Sequence, residues 1–117
     1  DDLMERYFGR LDDKELLTYG YVWPLDLWDV SHNAFDVESV AEVCTRINTA
    51  VMKLETTYED TILVLVSHAD VCQITQLYAA GAENVGHFSQ YRFGNGEVRG
   101  MKRNVESLPD PVPLTPP

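Results

Sequence analysis

Basic residues are scarce in this chain. Nine Lys and Arg stand against nineteen Asp and Glu, a formal net charge of −10 at pH 7. Nucleic-acid binding draws on clustered Lys and Arg, so nucleic acid is not an expected partner. The acidity also repels anionic substrates at long range, and its plainest effect is to keep the protein soluble. Cysteine is rarer still. Cys44 and Cys72 form no Cys-x-x-Cys pair and show no zinc spacing with histidine. Both fall on predicted apolar helix faces, which predicts buried free thiols, a reducing compartment and no metal. No apolar run approaches the roughly 18 residues of a membrane span, so no membrane partner is expected. Asp1-Asp2 opens the chain where a signal peptide would carry basic and apolar residues, and a cytoplasmic location is expected. No internal repeat is present.

What remains is ordinary for one small globular domain: 117 residues, 44% hydrophobic and 24% charged. Within it, Ile62-Leu63-Val64-Leu65-Val66 is a run of five aliphatic residues ending at Ser67-His68. Such a run reads as a strand buried on both faces, as in a parallel sheet. Asp70 then serves as the cap of a helix with apolar positions Val71, Ile74, Leu77 and Tyr78 and a stop at Gly81. His68 would sit at the carboxyl end of a central strand, beside a helix N-terminus. Ligands of open α/β sheets bind in that crevice, and free helix N–H groups favour anions there. The plainer alternative for His68 is a polar strand-end residue bonded to a loop.

Upstream, Leu3 to Leu11 reads as a loop, followed by a brief helix from Lys14 to Tyr19 that Trp23-Pro24 breaks. Trp28 to Phe35 is an irregular connection, and both tryptophans are expected to pack. Asp36 is expected to cap a long helix carrying Val37, Val40, Cys44, Ile47, Val51, Leu54 and Tyr58 on one stripe. Downstream, His87–Phe93 and Glu97–Lys102 form a predicted hairpin around Asn95-Gly96, whose residues accept positive φ. From Leu108 onward the chain holds five of its six prolines, which predicts an extended, mobile tail over 108–117. Pro113-Leu114-Thr115-Pro116 matches PxxP in form only.

Four segments, in order, resemble the histidine phosphatase superfamily, which includes the phosphoglycerate mutases. Leu3-Met4-Glu5-Arg6-Tyr7-Phe8-Gly9 is similar to the family's Leu-x-Glu-Arg-x-x-Gly segment. Val37-Glu38-Ser39 resembles its Gly-Glu-Ser segment, with valine replacing glycine. Leu65-Val66-Ser67-His68-Ala69 resembles the second-histidine motif, with Ala69 where glycine is usual. Phe88 to Met101 resembles the terminal hairpin of the small phosphatases. The family's nucleophile, a histidine in an Arg-His-Gly triplet near the start of the domain, has no counterpart. None of His32, His68 and His87 follows an arginine.

The resemblance implies the carboxyl-terminal part, over residues 1–107, of a three-layer α/β/α phosphoglycerate mutase-like fold with a mostly parallel central sheet and a terminal hairpin. It implies phosphomonoester hydrolysis through a phosphohistidine in the intact protein, and no catalysis by this chain alone. Glu5 would be the general acid and His68 the phosphate-binding histidine, with Arg6 and Ala69 contacting substrate. No cofactor or metal is implied. A phosphorylated small molecule or phosphoprotein would be the substrate, and the missing amino-terminal half or a second copy a partner. Two alternatives stand beside this reading: a non-catalytic phosphate-binding or interaction module, and a phosphoglycerate mutase. Mutases carry tyrosine before the glycine of the Glu-Arg segment; Phe8 stands here, which favours a phosphatase.

Overall fold

Helices carry the fold. The structure is a computed structural model describing residues 1–115, and its α-helices are α1 (Tyr19–Trp28), α2 (Val40–Thr57) and α3 (Ala69–Ala80), joined through short 3-10 turns. The main core forms where Trp23 of α1, Val40, Val43 and Ile47 of α2, and Val71, Ile74 and Leu77 of α3 meet around Phe88. A smaller cluster of Phe8, Val22 and Val37 lies beside it, with Phe8 stacked on Tyr19 at 3.9 Å between ring centroids.

The expected α/β fold is overturned. Among the described residues there is no strand, and so neither a parallel central sheet nor a terminal hairpin. A strand exists only through its neighbour's hydrogen bonds, and no segment supplies one. Ile62 to Val66 is irregular and lies largely in solvent instead of in a core. The segment expected to open the hairpin coils into a 3-10 turn, Val85–Gln90. Asn84 explains that choice: its side chain accepts from the Gly86 N–H at 2.9 Å and donates to the Leu27 carbonyl at 3.1 Å, while Phe88 plugs the core. The Asn95-Gly96 turn does form, with Gly96 at φ 71° and the Glu97 N–H on the Gly94 carbonyl, but no ladder follows it.

Pro24 does not break its helix. It lies inside α1, which begins at Tyr19 after a 3-10 turn and runs on to Trp28. A mid-helix proline costs about 3 kcal/mol, and α1 offsets this by burying Val22, Trp23 and Asp26 on one side. Trp23 packs as expected, whereas Trp28 stands 92% exposed.

α2 starts later than expected. Phe35 and Asp36 both adopt a left-handed φ of 59°, which no helix can continue, so Asp36 is not its cap. Ser39 is. Its hydroxyl accepts from the Glu42 N–H at 3.1 Å while Glu42 accepts from the Ser39 N–H at 2.8 Å, a reciprocal capping box. The Ser39 N–H foremost, and the Ser39 hydroxyl after it, donate to the Glu42 carboxylate and hold it below the usual range. α3 ends at Gly81, in the left-handed conformation its sequence position predicted.

Beyond α3, the chain up to Thr115 crosses the core. Leu108 and Leu114 pack on it, and the Val112 N–H donates to the Gln90 carbonyl at 2.9 Å. Pro116 and Pro117, with the end of the PxxP sequence, lie outside the described residues.

Candidate phosphate site at the start of helix α3

His68 is the N-cap residue of α3, in extended conformation, and its ring makes no hydrogen bond among the described residues. Asp70, expected to cap, lies in the first turn and points inward. The first helical bond runs from the Cys72 N–H to the His68 carbonyl at 2.9 Å. The N–H groups of Ala69, Asp70 and Val71 therefore have no backbone partner, as at any helix start. His68 and Ala69 are exposed while Asp70 and Val71 are buried, so the imidazole and the first amide of α3 lie at the surface with the other two donors behind them.

The amino-terminal loop is fastened to this patch. The Ser67 hydroxyl donates to the Leu3 carbonyl at 2.6 Å, and Arg6 approaches Asp70 at 3.7 Å. Glu5 lies between those two ties. Its carboxylate accepts from the Arg6 N–H at 2.9 Å, and its charge helps to raise the pKa of Asp70 and of Cys72 in the first turn of α3. For both groups burial is the larger cause. The structure thus brings Glu5 to the same end of α3 as His68, although no hydrogen bond or ion pair joins the two.

Arg6 is placed differently from its expected role. Its side chain is buried, with Nη1 and Nη2 each 2.7 Å from one oxygen of Asp26 and Nε 2.6 Å from the Glu38 carbonyl. Its guanidinium carbon also lies over the Phe8 and Phe88 rings, 5.5 and 5.8 Å from their centroids. A guanidinium so occupied has no direct line to solvent and acts as the core's internal counter-charge.

Around it lies a polar cluster that the sequence reading missed. Asp26 accepts both Arg6 bonds and a third from His32 Nε2 at 2.8 Å. The Ala34 N–H donates to His32 Nδ1 at 3.1 Å, which leaves Nε2 as the protonated nitrogen of the neutral ring. Asp70 is less well served. Trp23 Nε1 reaches it at 3.4 Å and Arg6 at 3.7 Å, so burial pushes its carboxyl up to about 7 against the pull of Arg6. One signal was available: Asp26 is a carboxylate set between Leu25 and Leu27, three residues after Trp23.

A cavity of about 440 Å³ is a separate feature. Glu5 borders it, but its other charged walls are Asp1, Asp36, Glu38, Glu42 and Arg46, and His68 is not among them. Arg46 is already paired with Glu38 at 2.7 Å. That acidic lining repels phosphate. Among the described residues no group of His, Cys, Asp and Glu has the arrangement of a metal site.

Comparison with known families decides the lineage. A family model described as the histidine phosphatase superfamily (branch 1) matches residues 1–106. The chain belongs to the histidine phosphatase superfamily. The match spans every segment whose resemblance was noted, from the Glu5-Arg6 loop through the Ser67-His68 motif to Met101. No curated protein and no solved structure matches the chain. Within this superfamily domain Gly9, the last residue of the Glu-Arg segment, has a clear steric reason. It takes φ 55°, and a Cβ there would lie 2.3 Å from the Asp36 carbonyl oxygen.

Proposed function

We propose that this histidine phosphatase domain binds a phosphomonoester at the start of α3 and belongs to a phosphatase whose nucleophilic histidine comes from polypeptide outside the present sequence. The observation that supports the reading best is the exposed, unbonded His68 ring beside three unpaired helix N–H groups, with Glu5 fastened nearby. His68 and the N–H groups of Ala69 to Val71 hold phosphoryl oxygens. Glu5 protonates the departing alcohol, which leaves poorly as an alkoxide. Charge that accumulates on the equatorial oxygens in the transition state is met by donors already in place.

Arg6 enters as a positioning residue. It holds the Glu5 loop against α1 through Asp26 and against α3 through Asp70. Phe8 favours a phosphatase over a mutase, since it is buried against Tyr19 and offers no hydroxyl to a substrate. A non-catalytic phosphate-binding module remains the second reading, favoured by one fact: no histidine of this chain lies in an Arg-His-Gly triplet.

A generic aryl phosphate tests the assignment of roles. The chain alone is expected to give only the uncatalysed rate. Turnover abolished by His68→Ala would show that the chain holds its own nucleophile and would overturn the proposal. With an Arg-His-Gly-bearing polypeptide supplied and activity present, Glu5→Gln is expected to slow alkyl phosphates far more than nitrophenyl phosphate, whose leaving group needs no proton. Equal slowing of both would remove Glu5 as the acid.

A further inference from the structure

Behind the start of α3 three carboxylates share one guanidinium, and the charges do not balance. Asp26 takes both terminal nitrogens of Arg6, each at 2.7 Å. Asp70, the second residue of α3, is left with Arg6 Nη1 at 3.7 Å and Trp23 Nε1 at 3.4 Å, both longer than a strong charge-assisted bond. Its side chain is nonetheless buried. Glu5 adds the third carboxylate, on the loop that Ser67 ties to this end of the helix. The Arg6–Asp26 pair is neutral as a unit, so an ionised Asp70 is a buried negative charge without a cation of its own. Burial first, then Glu5 and Asp26, favour the protonated carboxyl, against Arg6 and the Trp23 N–H.

Asp70 also belongs to the first turn of α3, where its own N–H is one of those without a backbone partner. A helix start carries roughly half a positive elementary charge. An ionised Asp70 cancels that charge from inside, whereas a protonated Asp70 leaves it to an anion from outside. We propose, resting on the phosphoryl site assigned above, that a bound anion and a charged Asp70 exclude one another, so that the site takes up its phosphoryl group together with one proton. The proton passes from solvent to the Asp70 carboxylate. Asp70 is thereby a positioning residue, which acts on the anion through the first-turn amides. The charged and titratable groups around it are Glu5 and Arg6 on the amino-terminal loop, Tyr19 and Asp26 on α1, and His68 and Cys72 on α3. His32 lies on the far side of Asp26, at 2.8 Å from it. α2 meets α3 through Val40, Val43 and Ile47, and the Val85–Gln90 turn meets it through Phe88, all apolar. Burial, and after it a neighbouring carboxylate, raises both the Tyr19 phenol and the Cys72 thiol, so neither gains charge near neutral pH. Burial brings the Asp70 carboxyl up to about 7, so anion affinity falls as pH rises through neutrality. The two histidines are the other groups of a type that changes charge there.

Sulfate is the probe, because it stays a dianion across the range where phosphate itself changes charge. In the full chain, NMR of the Asp70 carboxyl carbon is followed against pH with and without saturating sulfate. Sulfate is expected to move the Asp70 midpoint upward, the reciprocal of the anion's preference for the protonated carboxyl. That measurement needs no variant and reads Asp70 apart from the histidines. Asp70→Asn, which keeps both histidines and cannot ionise, is expected to bind sulfate about tenfold more tightly than the parent at about pH 8, and equally at about pH 6. An Asp70 midpoint that stays in place while the His68 and Ala69 signals saturate overturns the proposal and leaves the phosphoryl site standing. Equal affinity of the parent and a folded Asp70→Asn on the alkaline side does the same. Sulfate that moves neither His68 nor Ala69 on the acid side, in either protein, removes the phosphoryl reading and this proposal with it.

Discussion

Arg6 is the residue on which the interior depends. Among the described residues its guanidinium is the sole Lys or Arg cation within ion-pair distance of two buried carboxylates, Asp26 and Asp70. Removing one partner of a buried ion pair strands the other and costs about 3–5 kcal/mol. Arg6→Met is therefore expected to unfold the chain at urea concentrations the parent survives. Arg6→Met combined with Asp26→Leu is expected to recover part of that loss, because the stranded charge goes with it. Asp70 gives the interior its pH dependence. Its carboxyl is raised by burial from 3.8 to about 7. Between those values the folded chain holds a proton that the unfolded chain releases, so stability falls as pH climbs through that window. Denaturation midpoints measured across it are expected to decline for the parent and to flatten in Asp70→Asn. Little of this was legible beforehand. The Glu-Arg segment marked Glu5 and Arg6 as a pair, but a sequence does not say which of two adjacent side chains turns inward. The partner that turns Arg6 inward, Asp26, lies twenty positions away.

At the scale of elements, the readable features were those decided within a few residues. The apolar spacing of Val71, Ile74 and Leu77 with Gly81 behind them gave α3 and its end, because each signal acts over one turn. The start of α2 was readable in principle from Ser39-Val40-Ala41-Glu42, a capping-box pattern that outranks the lone Asp36. Ser39→Ala is expected to cost about 1 kcal/mol in denaturant-measured stability, the usual loss for an N-cap. Pro24 misled for the opposite reason. Its local penalty is real, yet Val22, Trp23 and Asp26 are held by contacts with distant segments. Gly9 joins the Glu5-Arg6 loop to the turn before α2. Gly9→Ala is expected to shift thermal unfolding downward, since the added carbon meets the Asp36 backbone and the left-handed φ costs a side chain about 1–3 kcal/mol.

For the whole molecule, family and architecture were legible to different depths. The family is written in short motifs, and the family model matches residues 1–106. A sheet is a property of several segments at once, and Ile62 to Val66 has strand composition without a neighbour among the described residues. What survives from the motifs is local: a serine tied to the Glu5 loop, a histidine at the start of α3, and first-turn amides beside it without backbone partners among the described residues. The central claim is that this end of α3 holds a phosphoryl group. An inorganic phosphate titration followed by NMR, observing the His68 ring and the Ala69, Asp70 and Val71 amides, tests it most directly. Saturable shifts confined to those signals and the Glu5 loop, and lost in a folded His68→Ala variant, are the predicted result. Unmoved signals up to tens of millimolar phosphate, or shifts that persist without the His68 imidazole, would contradict it.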